Sequence, residues 1–224
     1  MKIIIFGASS GLGKCFLDIL LKNPKNEIVA TYNKTFLSKY KNHNLFFIKC
    51  NFENPKSIIY TLKKSIQILQ RIDLIIICSG YFAYDSLKKN IISSIKKFFF
   101  INFYSNIIIN NFFMKKKKNI KKLKKKVKIV NIGSSSSYKS FLNTSLYCAS
   151  KSALLSFIRS IELKKKSKIK NYIFSMGTMD TKMGELIKNK KKKLDPMYIA
   201  SHILKNINKN KFEFIYSRAR RQFL

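Results

Sequence analysis

Four short runs in the first part of the chain are apolar almost without interruption: Lys2 to Phe6, Glu27 to Tyr32, Leu45 to Cys50 and Asp73 to Cys78. A strand with one face in water alternates between apolar and polar residues. These runs do not, so they must be covered on both faces, as central strands are in a parallel sheet flanked by helices. Helical patterns lie between them. Leu12, Cys15, Phe16, Ile19 and Leu20 recur at helical spacing after the first run, and Pro55 to Leu69 separates the third from the fourth. The alternation of strand and helix predicts a parallel sheet. Further on, the pattern predicts a long helix from about Ile91 to Met114, a strand Val127 to Ile132, a helix from about Ser145 to Lys164 and a strand Asn171 to Ser175. A helix Pro196 to Ile207 and a short strand Phe212 to Tyr216 complete it. The reading is one α/β domain over residues 1–224, a doubly wound parallel sheet of about seven strands. Its ligand should lie beyond the carboxyl ends of the strands, where the strand order reverses.

The formal charge of +36 first suggests a nucleic-acid or membrane-surface partner. Only Arg71, Arg159, Arg218, Arg220 and Arg221 of the 46 basic residues are arginine, however, and the lysines are spread along the chain among Asn, Ile and Phe. A dedicated phosphate or base reader uses more arginine, so no specific nucleic acid is expected. The lysine runs Lys115 to Lys126 and Lys190 to Lys193 fall between elements. The stretch Lys188 to Lys193 lies beside the substrate loop and would favour anionic substrates. The apolar stretch Phe98 to Met114 is interrupted by Asn102, Asn106, Asn110 and Asn111, so no membrane insertion is expected. Cys15, Cys50, Cys78 and Cys148 have no metal-type spacing and suit reduced thiols, which with the lack of a signal peptide points to the cytoplasm. No metal site is expected.

Two segments carry chemistry. Gly7-Ala8-Ser9-Ser10-Gly11-Leu12-Gly13 follows a strand and opens a helix, where a glycine turn lets backbone amides approach a pyrophosphate at the positive helix end. Tyr147 and Lys151 stand one helical turn apart, so both reach one small site, and a nearby ammonium favours the phenolate of a tyrosine. Ser134 ends a strand thirteen residues before Tyr147.

Taken together, the glycine turn, the Ser134 to Tyr147 spacing and the run Tyr147-Cys148-Ala149-Ser150-Lys151-Ser152-Ala153-Leu154 resemble the short-chain dehydrogenase/reductase family over essentially the whole chain. The resemblance implies a Rossmann-type fold and an oxidoreductase moving hydride between a nicotinamide and the carbon of a small carbonyl or alcohol. It implies Tyr147 as general acid in reduction, Ser134 as a hydrogen-bond donor to the same oxygen, and Lys151 as charge and ribose ligand. Asn102 would keep a water in the proton relay. It further implies cofactor contacts at Gly7, Ser9, Ser10, Gly11, Leu12, Gly13, Asn33, Lys34, Asn51, Ser79, Gly80, Tyr147, Lys151, Gly177 and Thr181, and a homo-oligomer. Four positions depart from the family pattern: Phe6 stands for a Thr, Asn51 for an Asp, Met176 for a Pro, and Cys78-Ser79-Gly80 for Asn-Ala-Gly. An NAD-preferring relative would carry an acid near Tyr32; Asn33 and Lys34 stand there, so NADP(H) is expected to be preferred and NAD(H) to be possible. Two other readings compete. One is a catalytically idle, cofactor-sensing regulator of the same fold, which would need only the glycine loop and the lysine. The other is a basic nucleic-acid or membrane-surface binder.

Overall fold

The computed structural model describes residues 1–40, 42–85, 91–115, 126–163, 169–187 and 192–224. The chain runs β1 (Lys2–Phe6), α1 (Gly11–Leu21), β2 (Glu27–Tyr32), β3 (Leu45–Lys49), α2 (Pro55–Leu69), β4 (Leu74–Ile77) and α3 (Ile91–Phe99). A π-helical turn (Phe100–Tyr104) leads into α4 (Ser105–Lys115), β5 (Val127–Ile132) and α5 (Ser145–Glu162). Then come β6 (Ile169–Ser175), α6 (Lys182–Glu185), α7 (Pro196–Asn206), β7 (Glu213–Ser217) and β8 (Gln222–Phe223).

The sheet order is β3-β2-β1-β4-β5-β6-β7-β8, parallel throughout except for β7 with β8. The order reverses between β1 and β4. A crevice therefore opens at the carboxyl ends of these two strands, because their connections leave in opposite directions. Eight strands replace the expected seven, since β8 is too short to leave a periodic pattern in sequence.

Side chains of β1 alternate between two cores. Ile3 and Ile5 join the core under α1 and α7, and Ile4 and Phe6 join the core under α2 and α4; all four are fully buried. Fixed start signals set two of the helices. Asn54 caps α2 by accepting from the Lys56 N–H at 2.9 Å, and Asp195 caps α7 by accepting from Met197 N–H at 2.9 Å, each followed by proline at the first helical position.

The long helix expected from Ile91 to Met114 is present as one helical run to Lys115, with a π turn at Phe100–Tyr104 in place of a regular α ladder. Its polar side chains bond back to the helix: Ser105 Oγ donates to the Ile101 carbonyl at 2.8 Å, Asn106 Nδ2 to the Asn102 carbonyl at 3.2 Å, and Asn110 Nδ2 to the Asn106 carbonyl at 2.9 Å. Such bonds compete with the regular ladder, and the π turn accommodates one extra residue around Asn102. The helix of Tyr147 ends at Glu162, before the expected Lys164. Lys164 and the central parts of both lysine runs, 116–125 and 190–191, lie outside the described residues, as do 188–189. No helix among the described residues is long and apolar enough to cross a membrane.

Candidate active site

A cleft of about 1390 Å³ occupies the crevice. Its wall includes Gly7, Ser9, Ser10, Gly11, Leu12 and Gly13 from the glycine turn, Tyr32 and Asn33 after β2, and Ser79 and Gly80 after β4. Ser134, Tyr147 and Lys151 face it from the other side, with Gly177 and Thr181 after β6. Three expected site residues are not part of this wall. Lys34 is exposed beside Asn33. Asn51 is exposed, its Oδ1 accepting from the Glu53 N–H at 2.9 Å; the neighbours Cys50 and Phe52 line the cleft instead. Asn102 is buried behind it.

The glycine turn is tight where the cleft needs it. Gly7 has φ +77°, and a Cβ at Gly13 would lie 2.0 Å from the Gly7 carbonyl oxygen, so no larger residue fits at Gly13. The loop is held from β2: Gly7 N–H donates to Thr31 Oγ1 and Ala8 N–H to the Thr31 carbonyl, each at 3.0 Å. Sequence reasoning missed Thr31, although a polar residue inside an apolar strand run is a signal that its hydroxyl has a partner. Ser10 caps α1 with no side-chain bond to the helix, leaving the first amides of α1 turned toward the cleft. This cradle, with glycine at three of its seven positions, fits the pyrophosphate of a dinucleotide.

Across the cleft, Ser134 Oγ accepts from the Ser136 N–H at 3.1 Å and hydrogen-bonds the Tyr147 phenol. The serine run is therefore built structure: Ser137 Oγ donates to the Lys151 carbonyl at 3.0 Å, and Ser135 N–H to the Met176 carbonyl at 2.9 Å. Phe82 packs edge-on against the Tyr147 ring at 5.0 Å. The Lys151 Nζ lies 6.0 Å from the Tyr147 ring centroid and donates to the Ile132 carbonyl at 2.9 Å. Among the described residues Lys151 is the one charged side chain that is buried.

Burial governs the titration of both groups. It lowers the Lys151 ammonium to about 8, opposed only by the Cys78 thiol. It also raises the Tyr147 phenol, against the lowering effect of the Ser134 hydrogen bond. Desolvation is the larger of these influences on the phenol, which keeps its proton at neutral pH. Cys78, at the end of β4, is likewise pushed up by burial and stays a thiol.

The Asn102 side chain is fully committed. Its Oδ1 accepts from the Tyr81 N–H at 2.8 Å, while Nδ2 donates to the Tyr81 carbonyl at 2.9 Å and to Ser150 Oγ at 3.1 Å. It clamps the loop after Gly80 to the helix of Tyr147 and Lys151. After β6, Met176 is buried, and Thr181 Oγ1 accepts from the Gly184 N–H at 3.2 Å to start α6. A Cβ at Gly11 would touch Thr181 Cγ2 at 3.3 Å, so the two loops meet over the cleft. Tyr138 also lines the cleft, its hydroxyl donating to Glu213 Oε1 at 2.7 Å, and burial and this carboxylate push its phenol up to about 12.

A family model described as short chain dehydrogenase matches residues 1–192. Among solved structures, an alcohol dehydrogenase from the archaeon Thermococcus sibiricus, complexed with 5-hydroxy-NADP, is 16% identical, with a TM-score of 0.79 over 95% of this chain and 94% of that one. A serine dehydrogenase in its closed form, complexed with NADP+, is 15% identical, with a TM-score of 0.81 over 96% and 94%. A short chain dehydrogenase/reductase from Burkholderia phymatum in complex with NAD is 14% identical, with a TM-score of 0.78 over 95% and 87%. No curated protein matches by sequence.

Proposed function

The chain belongs to the short-chain dehydrogenase/reductase family, an oxidoreductase family acting on CH–OH and C=O groups with nicotinamide cofactors, and on that premise we propose an NADP(H)-dependent reductase of a small carbonyl compound. The observation that carries the reading is the buried Lys151 ammonium one helical turn from a Tyr147 phenol that Ser134 hydrogen-bonds, at one end of a cleft whose other end is the glycine cradle. A bound nicotinamide supplies the hydride in reduction and takes it in oxidation. Tyr147 donates its proton to the carbonyl oxygen, a role suited to a phenol whose raised pKa keeps it protonated at neutral pH. Ser134 donates to the same oxygen and stabilises the charge that develops there. Lys151 holds the ribose hydroxyls and offsets the negative charge left on Tyr147. Asn102 acts on position: its amide fixes the loop at Tyr81 and the turn of α5 at Ser150, which supports the alignment of Gly80 with Lys151.

Preference for NADP(H) over NAD(H) is supported by the end of β2. No Asp or Glu is among the described residues lining the cleft, Asn33 is in its wall, and Lys34 stands exposed beside Asn33 to meet a 2′-phosphate. Exposed Ile92, Ile95 and Tyr104 along α3 and the π turn support self-association into a homo-oligomer. The four unpaired cysteines suit the cytosol.

The test is a carbonyl panel followed by loss of NADPH absorbance, with Tyr147→Phe beside the natural protein. Turnover by the variant should fall about a hundred- to ten-thousandfold while NADPH still binds. Near-normal turnover by Tyr147→Phe refutes the mechanism.

A further inference from the structure

The far wall of the cleft is completed by Ile215, Tyr216 and Arg218, from β7 and the turn after it. Arg218 sits past the carboxyl end of β7, next to Gly177 past the end of β6. A Cβ at Gly177 would lie 3.6 Å from Arg218 Nη2 and 3.9 Å from Nε, so the guanidinium rests over a residue with no side chain to cover it. Its Nη1 donates to the Lys192 carbonyl at 2.6 Å, which tethers one arm of the fork. Among the described residues no carboxylate pairs with it.

Arginine is scarce in this chain, and two of the five arginines are already matched to carboxylates: Arg71 to Asp73 at 3.3 Å, and Arg159 to Glu213 by a two-pronged contact at 2.6 and 2.7 Å. Arg218 offers the same fork to the cleft. The cleft wall carries Lys139, Lys151, Lys182 and Arg218 and, among the described residues, no acid; the Glu213 carboxylate behind Tyr138 is paired with Arg159. β6 pairs directly with β5, so Gly177 and Arg218 share the cleft with Ser134 and Tyr147 from the neighbouring strand end.

We propose that Arg218 is the receptor for an anionic group on the substrate: the compound turned over carries a carboxylate or phosphate a few bonds from the reacting carbon. Arg218 takes two oxygens of that group in its fork, and Lys182 adds charge at the rim. The proposal rests on the reductase reading of the cleft and narrows it to oxo and hydroxy acids or their phosphate counterparts.

The experiment uses the full chain with NADPH and a matched series: short oxo acids, their methyl esters, and oxo compounds bearing a phosphate in place of the carboxylate. Three proteins are compared: natural, Arg218→Leu, and Arg220→Leu, which removes the same charge from the same turn but outside the cleft wall. In the natural protein and in Arg220→Leu, kcat/KM for anionic members should exceed that for esters by about tenfold or more, and in Arg218→Leu the ratio should fall toward one, chiefly through KM. The carboxylate and phosphate arms tell which oxyanion is taken. Esters turned over as well as acids by the natural protein, or an unchanged ratio in Arg218→Leu, overturns the proposal and leaves the reductase reading standing. Should no carbonyl oxidise NADPH, the reductase reading fails, and protection against thermal unfolding decides the anion site alone. Propionate should raise the Tm of the natural protein and Arg220→Leu but not of Arg218→Leu; equal shifts in all three overturn it.

Discussion

Lys151→Met should make this protein more stable while removing its activity. Lys151 is buried, and its ammonium is lowered from an ordinary 10.5 to about 8 by desolvation. A shift of that size means that holding the charged form in place costs about 3 kcal/mol at neutral pH. Methionine fills a similar volume without the charge. It also strips the Ile132 carbonyl of its 2.9 Å donor, a loss of about 1 kcal/mol where water from the cleft can take over. The net gain is about 2 kcal/mol, or roughly 4–8 °C in Tm for a chain of this size. The gain must also depend on pH. The unfolded chain binds the lysine proton more tightly than the folded one between about pH 8 and 10.5, so the natural protein gains stability as pH rises through that window. The advantage of Lys151→Met is therefore full at pH 7, shrinks above pH 8, vanishes near pH 10 and reverses slightly above that, where only the lost hydrogen bond remains. Scanning calorimetry of both proteins from pH 7 to pH 10 measures the difference, and groups common to both cancel. A lower Tm for Lys151→Met at pH 7, or a gap that does not narrow with pH, refutes the argument.

Two further expectations follow from the cofactor half of the cleft. NADPH should bind more tightly than NADH, and Lys34→Glu should narrow or reverse the gap by about fivefold or more, the worth of one exposed charge pair; tighter NADH binding by the natural protein would show that the end of β2 has been misread. Gly13→Ala puts a Cβ 2.0 Å from the Gly7 oxygen and should lower stability by about 1–3 kcal/mol as the turn is forced open, with NADPH affinity, followed by fluorescence titration, falling alongside it.

What the sequence made legible follows from how local each feature is. The strands could be read because Ile3, Ile4, Ile5 and Phe6 are all fully buried, and two-sided burial leaves an unbroken apolar run. Tyr147 and Lys151 could be paired because one helical turn fixes their separation, and Ser134 because it follows closely on the preceding strand. The π turn at Phe100–Tyr104 could not be read, since it depends on side-chain bonds from Ser105, Asn106 and Asn110 competing with the ladder. Nor could the direction of the Asn102 amide, which is set by Tyr81 and Ser150 rather than by its own helix. Thr31 and Arg218 reach the cleft from strands distant from the motifs, so spacing carries no trace of them.

The departures from the family pattern fall where the backbone can compensate. Phe6 turns into the core against Phe52 at 5.4 Å, and the N–H of the following glycine takes its hydroxyl partner from Thr31 across the sheet. Met176 still offers its carbonyl to Ser135, and Cys78 still donates its N–H to the Phe6 carbonyl at 2.9 Å. The Met176 and Cys78 bonds need no particular side chain; the Gly7 bond needs the Thr31 hydroxyl. The phenol, hydroxyl and ammonium of Tyr147, Ser134 and Lys151 have no backbone substitute, because only a side chain can deliver a proton or a charge to a point in the cleft. Lys151 is the sharpest case. Lysine in this chain is abundant and mostly solvated, so composition alone would leave it at the surface. Its burial, at a cost of about 3 kcal/mol, is what the proposed role beside Tyr147 and Ser134 would explain.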